Sequence, residues 1–132
     1  MTPQQILLLK QSWETVKPKA AQLAEIFYYH LFDTHPKFRV LFKGSFYEQQ
    51  QKFIRMLDMV IVHVDRLSIV QKDIQASGSR HSEYGVKSED YAPVGESLLY
   101  ALQTALKDEW TTEHTGAWTA AYKMLSEKMQ SL

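Results

Sequence analysis

Apolar residues recur at helical spacing along almost the whole chain, and that pattern restricts the fold more than any other feature. The longest such face runs through Gln49, Phe53, Met56, Leu57, Val60, Ile61 and Val64. Its three- and four-residue steps put side chains on one side of an α-helix. No alternating stretch has a useful strand length, so the chain reads as all-α. Five glycines and four prolines punctuate it, giving six substantial helices joined by short turns. Thr2 before Pro3, with Gln5 following, caps a first helix that shows Ile6, Leu9, Trp13 and Val16 on one face. A second helix, about 20–32, carries Leu23, Phe27 and Leu31 in a stripe. Asp33, Thr34 and Pro36 then turn a corner into a short segment at 38–42, and Gly44 and Ser45 break the chain again. From Leu67 to His81 the pattern weakens: Ser77, Gly78 and Ser79 predict a short or frayed helix there, ended by Gly85. Ser88 and Glu89 open a helix with Tyr91, Val94, Leu98 and Leu102 inward. The last helix starts at Thr111 or Thr112 and turns Ala117, Trp118, Ala121, Leu125 and Met129 inward.

Composition removes several function classes. A length of 132 residues gives room for one domain, 1–132, around one core. Fifteen basic and 15 acidic side chains cancel, which argues against a nucleic-acid partner, normally marked by a basic stripe. There is no cysteine, so disulfides, zinc–thiolate sites and thiol chemistry are excluded. The longest apolar runs, Ile6 to Leu9 and Met59 to Val62, fall far short of the roughly 20 residues that span a bilayer. The start of the chain lacks the basic-then-apolar pattern of a secretory signal. The expectation is a cytoplasmic protein with no membrane partner.

Several short patterns stand at informative intervals. Pro36 is followed six residues later by Phe42, and His81 comes 39 residues after Phe42. Ser12-Trp13, Arg80-His81 with Tyr84-Gly85-Val86, the run from Tyr91 through Pro93, Gly95 and Glu96 to Leu99, and Ala117-Trp118 with Tyr122 complete the set. In combination they cover essentially the whole chain, and the chain resembles the globin family. Within that family it is most similar to bacterial single-domain globins, the globin module of flavohaemoglobins and neuroglobin-like proteins. The resemblance implies a three-over-three helical sandwich around one b-type haem.

It also implies roles. His81, one of five histidines, is the proximal iron ligand, since a haem of this kind needs one neutral imidazole nitrogen in an otherwise apolar wall. No two histidines stand at the i, i+4 spacing of a metal pair, so a zinc site is not expected. His30, His35, His63 and His114 read as partly exposed polar positions. Phe42 packs on the porphyrin, with Phe53, Val86 and Tyr91 as further cofactor contacts. Lys52 and Arg80 are candidate partners of the propionates. On the distal side the resemblance puts Tyr28 on the second helix and Gln49, 32 residues before His81, on the third. Tyr29 competes with Tyr28 one residue out of register, and Gln49 heads a run of three glutamines that also reads as a solvated face.

Tyr O–H and Gln N–H both donate hydrogen bonds. O2 on a haem carries partial negative charge, whereas CO carries little. The expected function is therefore reversible binding of O2, and of NO and CO, with slow O2 release. The rivals are a nitric oxide dioxygenase served by a separate reductase, and a haem-based gas sensor. In flavohaemoglobins a tyrosine and a late glutamate polarise the proximal histidine. Tyr91 matches the tyrosine, while the glutamate would fall just past Leu132, which favours binding over catalysis. The oligomeric expectation is a monomer or weak dimer.

Overall fold

Thr2 starts the first helix in the manner its neighbours predict. Its hydroxyl accepts the Gln5 backbone N–H at 3.1 Å, and the Gln5 side chain accepts the Thr2 N–H at 3.0 Å. Two backbone donors left over at the helix start are thereby satisfied. The computed structural model describes residues 1–42 and 44–130. Among them are six α-helices: α1 (Pro3–Val16), α2 (Ala20–Thr34), α3 (Phe46–Val62), α4 (Gln71–Glu83), α5 (Tyr91–Leu106) and α6 (Thr112–Gln130). Short 3-10 turns at Pro36–Leu41, Leu67–Val70 and Ser88–Asp90 join α2 to α3, precede α4 and lead into α5. No helix among the described residues is long and apolar enough to cross a membrane.

The helices stack three over three, α1, α3 and α4 against α2, α5 and α6. The stripes read from the sequence become the core. Leu9, Trp13, Leu23, Leu31, Leu98, Leu102 and Trp118 are all buried there. Buried polar groups are paired: the Trp118 indole donates to Ser12 Oγ at 3.0 Å, and Ser12 in turn donates to Leu8 O at 2.7 Å. The Trp13 indole donates to Asp58 at 2.9 Å, and Lys17 approaches the same carboxylate oxygen at 2.9 Å.

One expectation fails. Ser77, Gly78 and Ser79 do not fray the fourth helix; α4 runs unbroken through them, with Ser77 and Gly78 buried. Helix propensity penalises glycine because of its backbone freedom, but tertiary packing decides here. A Cβ at Gly78 would lie 2.6 Å from the Met129 carbonyl carbon and 2.8 Å from its Cα. The missing side chain is what lets the backbones of α4 and α6 meet.

α3 and α4 follow one another in the chain yet do not pack closely together. α3 rests on α1 and α2, and α4 rests on α6. The two helices thus stand on different parts of the core, each held by other neighbours.

Candidate functional site

His81 stands in the last turn of α4, half-buried. Its Nδ1 lies 2.6 Å from the Ser77 carbonyl oxygen one turn earlier. A carbonyl can only accept, so Nδ1 carries a proton, and Nε2 is the nitrogen left to offer a lone pair to a metal. A carbonyl hydrogen-bonded to the far nitrogen also fixes the ring and raises the basicity of the near one.

Gly85 holds this turn in place. It adopts a φ of +96°, a conformation open to glycine and costly for other residues. That lets the Val86 N–H reach His81 O at 2.9 Å and the Gly85 N–H reach Ser82 O at 3.1 Å, the paired bonds of a Schellman helix end. His81 therefore supplies both the imidazole and one of the carbonyls that close its own helix. Replacing Gly85 with alanine is expected to cost about 1–2 kcal/mol, read as a lower urea midpoint. An unchanged midpoint would show that the turn relaxes without strain.

Tyr28 is 3% exposed on α2, whereas Tyr29 is 73% exposed, so of the two only Tyr28 faces inward. Aromatic rings surround it: Phe46 at 5.2 Å, Phe42 at 5.3 Å and Phe53 at 5.8 Å between centroids, all edge-on or nearly so. Phe53 also stacks on Phe27 at 4.3 Å. The Tyr28 hydroxyl lies 3.4 Å from the Gln49 backbone oxygen, well beyond the usual length of an O–H···O bond. Burial pushes this hydroxyl well above the ordinary tyrosine pKa, so it keeps its proton and stays a donor.

The remaining candidates spread around this centre. Gln49 is half-buried in the first turn of α3, next to the Tyr28 hydroxyl through its own carbonyl. Phe42 is half-buried just before α3. Lys52 on α3 and Arg80 on α4 are exposed. Val86 and Tyr91 line a cleft of about 370 Å³ with Gly78, Ser82 and Met129. Tyr91 is tied to α6, because the Tyr122 hydroxyl donates to its backbone oxygen at 2.6 Å. The other four histidines are engaged elsewhere: His30 with Ser97 at 2.8 Å, His35 with Thr34 at 3.0 Å, His63 with Met59 O at 2.8 Å and His114 with Thr111 at 2.8 Å. Among the described residues no cluster of three or more His, Cys, Asp or Glu side chains could hold a bare metal ion.

Sequence reasoning missed Ser77, the partner that sets the His81 tautomer. The signal was its place four residues before the histidine, read instead as a breaker. It also missed Phe32 and Phe46, whose rings complete the aromatic shell.

The globin family profile matches residues 25–129 of the chain. The chain belongs to the globin family. Zebrafish (Danio rerio) neuroglobin is 28% identical over 92% of this chain and 86% of its own length. Flavohemoprotein B of Dictyostelium discoideum is 24% identical over 96% of this chain, which spans only 30% of that longer protein. Among solved structures, a hexacoordinated haem protein from an anhydrobiotic tardigrade superposes with a TM-score of 0.88 at 22% identity, covering 98% of this chain and 92% of that one.

As a globin the chain binds haem, and the residues present fit that cofactor. Aromatic side chains gather between α2 and α3, and α4 carries an imidazole oriented by its own backbone. The two groups also differ in the way such a site requires, one with an available lone pair and the other with an available proton.

Proposed function

We propose that this globin holds a b-type haem on His81 Nε2 and retains O2 through hydrogen bonds donated by Tyr28 and Gln49. The b-type assignment is supported by the absence of cysteine, the residue through which haem is attached covalently. When bound, the haem supplies an iron that takes a diatomic gas and shifts negative charge onto it, more for O2 than for CO. The protein's own side chains do the rest.

The Tyr28 hydroxyl carries the reading. It is buried among aromatic rings, held protonated, and its nearest acceptor is a long 3.4 Å away. A donor so placed favours a ligand that carries negative charge, and such a bond contributes about 1.5–3 kcal/mol. Phe53 and Phe42 exclude water and keep that contribution from being screened. Behind the imidazole, Ser77 O orients His81, and Val86 and Tyr91 line the proximal side. Lys52 and Arg80, exposed on the two walls, meet the propionates at the solvent edge.

Tyr28→Phe is expected to speed O2 dissociation about 10- to 100-fold while CO dissociation changes little. Stopped-flow rates for both gases check this, and a wild-type O2 rate in the variant would overturn the distal assignment. The ferrous spectrum without gas adds a second reading. With the other histidines bonded elsewhere and Gln49 on the distal side, a penta-coordinate spectrum is expected, unlike the tardigrade protein's described state. The flavohemoprotein match supports a separate reductase as partner. Sustained consumption of NO with such a donor would make the protein a dioxygenase as well.

A further inference from the structure

We propose that Lys37 and Asp90 form a latch across the mouth of the haem slot and set how long the cofactor is retained. The inference rests on the placement of haem between α3 and α4.

Two corners adjoin the helices that would hold the cofactor, one leading into α3 and one leaving α4. The first is the turn Pro36–Leu41, which runs into Phe42 and then α3. The second leaves α4 at Gly85 and reaches α5 through Ser88–Asp90. They meet at two points. Leu41 Cδ2 lies 3.5 Å from where a Cβ on Gly85 would stand. Lys37 Nζ lies 2.9 Å from Asp90 Oδ1, joining residues 53 apart in the chain. One contact is apolar and the other ionic. The first corner carries Phe42, and the second begins four residues after His81.

The ionic contact is asymmetric. The Asp90 side chain is 5% exposed and the Lys37 side chain 58%. Asp90 is thus an interior carboxylate whose counter-charge arrives from the opposite corner. Its other oxygen accepts the Lys87 backbone N–H at 2.8 Å, so every strong partner of this anion belongs to one rim or the other. Burial alone would raise its pKa; the Lys37 bond and the Lys87 N–H reverse that and hold it below the usual carboxylate value. Lys37 is itself steadied over the buried Phe38 ring, 5.4 Å from Nζ to centroid. A surface ion pair contributes little, but withdrawing the cation from an interior anion leaves a charge supported only by Lys87, through its N–H and its more distant ammonium. Parting the corners requires that withdrawal, and a flat cofactor gripped between α3 and α4 leaves only when its rim parts. Asp90 and Lys37 are therefore positioning residues, which act through Phe42 and the end of α4.

The test uses the full haem-loaded chain mixed with excess apo-globin as acceptor, and follows haem transfer by absorbance. Lys37→Met and Asp90→Asn are each expected to speed haem loss about tenfold, a figure discounted because Lys37 is half in water. The double variant should lose haem no faster than the faster single one, since one interaction is being removed. Lys37→Arg should restore the wild-type rate. Urea unfolding of the same haem-free chains separates retention from stability. Lower midpoints with wild-type haem loss would mean that the pair only stabilises the fold, and would overturn the latch. Additive effects in the double variant would overturn it too. Lys37→Met keeps the test open if Asp90→Asn fails to fold, because its own haem-loss rate alone can contradict the proposal. A wild-type chain that takes up no haem would instead refute the slot placement, and the latch with it.

Discussion

Replacing His81 with alanine is expected to leave a folded chain with no stable haem Soret band. The residue is half-buried and its side chain makes one short bond, to Ser77 O at 2.6 Å. Its loss to folding is therefore of the order of one hydrogen bond, about 1 kcal/mol, against a total stability of roughly 5–15 kcal/mol for a domain. Its loss to cofactor binding is of another kind, because the other four histidines are bonded elsewhere and none stands ready to replace it. Haem titration followed at the Soret maximum, with far-ultraviolet circular dichroism as the control for folding, measures both. A normal Soret band in the variant would sink the proximal assignment.

Gly78→Ala should do the reverse, damaging the fold first and the site as a consequence. The added methyl would stand 2.6 Å from Met129 C and closer still to its carbonyl oxygen. These are backbone atoms of α6, so no rotamer change relieves the clash. Alanine gains up to about 1 kcal/mol in helix propensity over glycine. Overpacking a close backbone crossing costs about 1–3 kcal/mol and more where nothing can yield, so the clash wins. Because His81 lies three residues on, in the next turn of the same helix, any shift of α4 away from α6 also moves the imidazole. The expected result is a urea midpoint lowered by an equivalent of about 3 kcal/mol, with weaker haem uptake. A midpoint at or above wild type would show that α4 and α6 separate without cost. By contrast, a Cβ on Gly95 would meet the Tyr122 ring at 2.6 Å, and a ring can yield where a carbonyl cannot.

The parts of this molecule that could be read in the sequence are those set by local spacing. Thr2, Pro3 and Gln5 announce a helix start and make one. The stripe on α2 and the Leu57, Val60 and Ile61 part of the long face become buried, while Gln49, Phe53 and Met56 on the same face stay half-buried. What local spacing could not decide, packing did. Tyr28 and Tyr29 are the same residue type side by side, and only the neighbours of α2 determine which is inside. Ser77-Gly78 carries the composition of a breaker, yet α6 turns it into a helix interface. The Lys37–Asp90 pair joins positions too far apart in the chain for any periodic pattern to connect. Lys52 and Arg80, named as propionate partners, are exposed cations whose spacing alone says nothing of what they meet.

The way α3 and α4 are anchored has an energetic consequence. Each of these helices is braced against others, α3 by α1 and α2, α4 by α6, so a substitution at one of those crossings reaches the site through the helix it supports. The fold and the site then share one set of packing contacts, as Gly78 shows by serving both the α4–α6 crossing and the helix that carries His81.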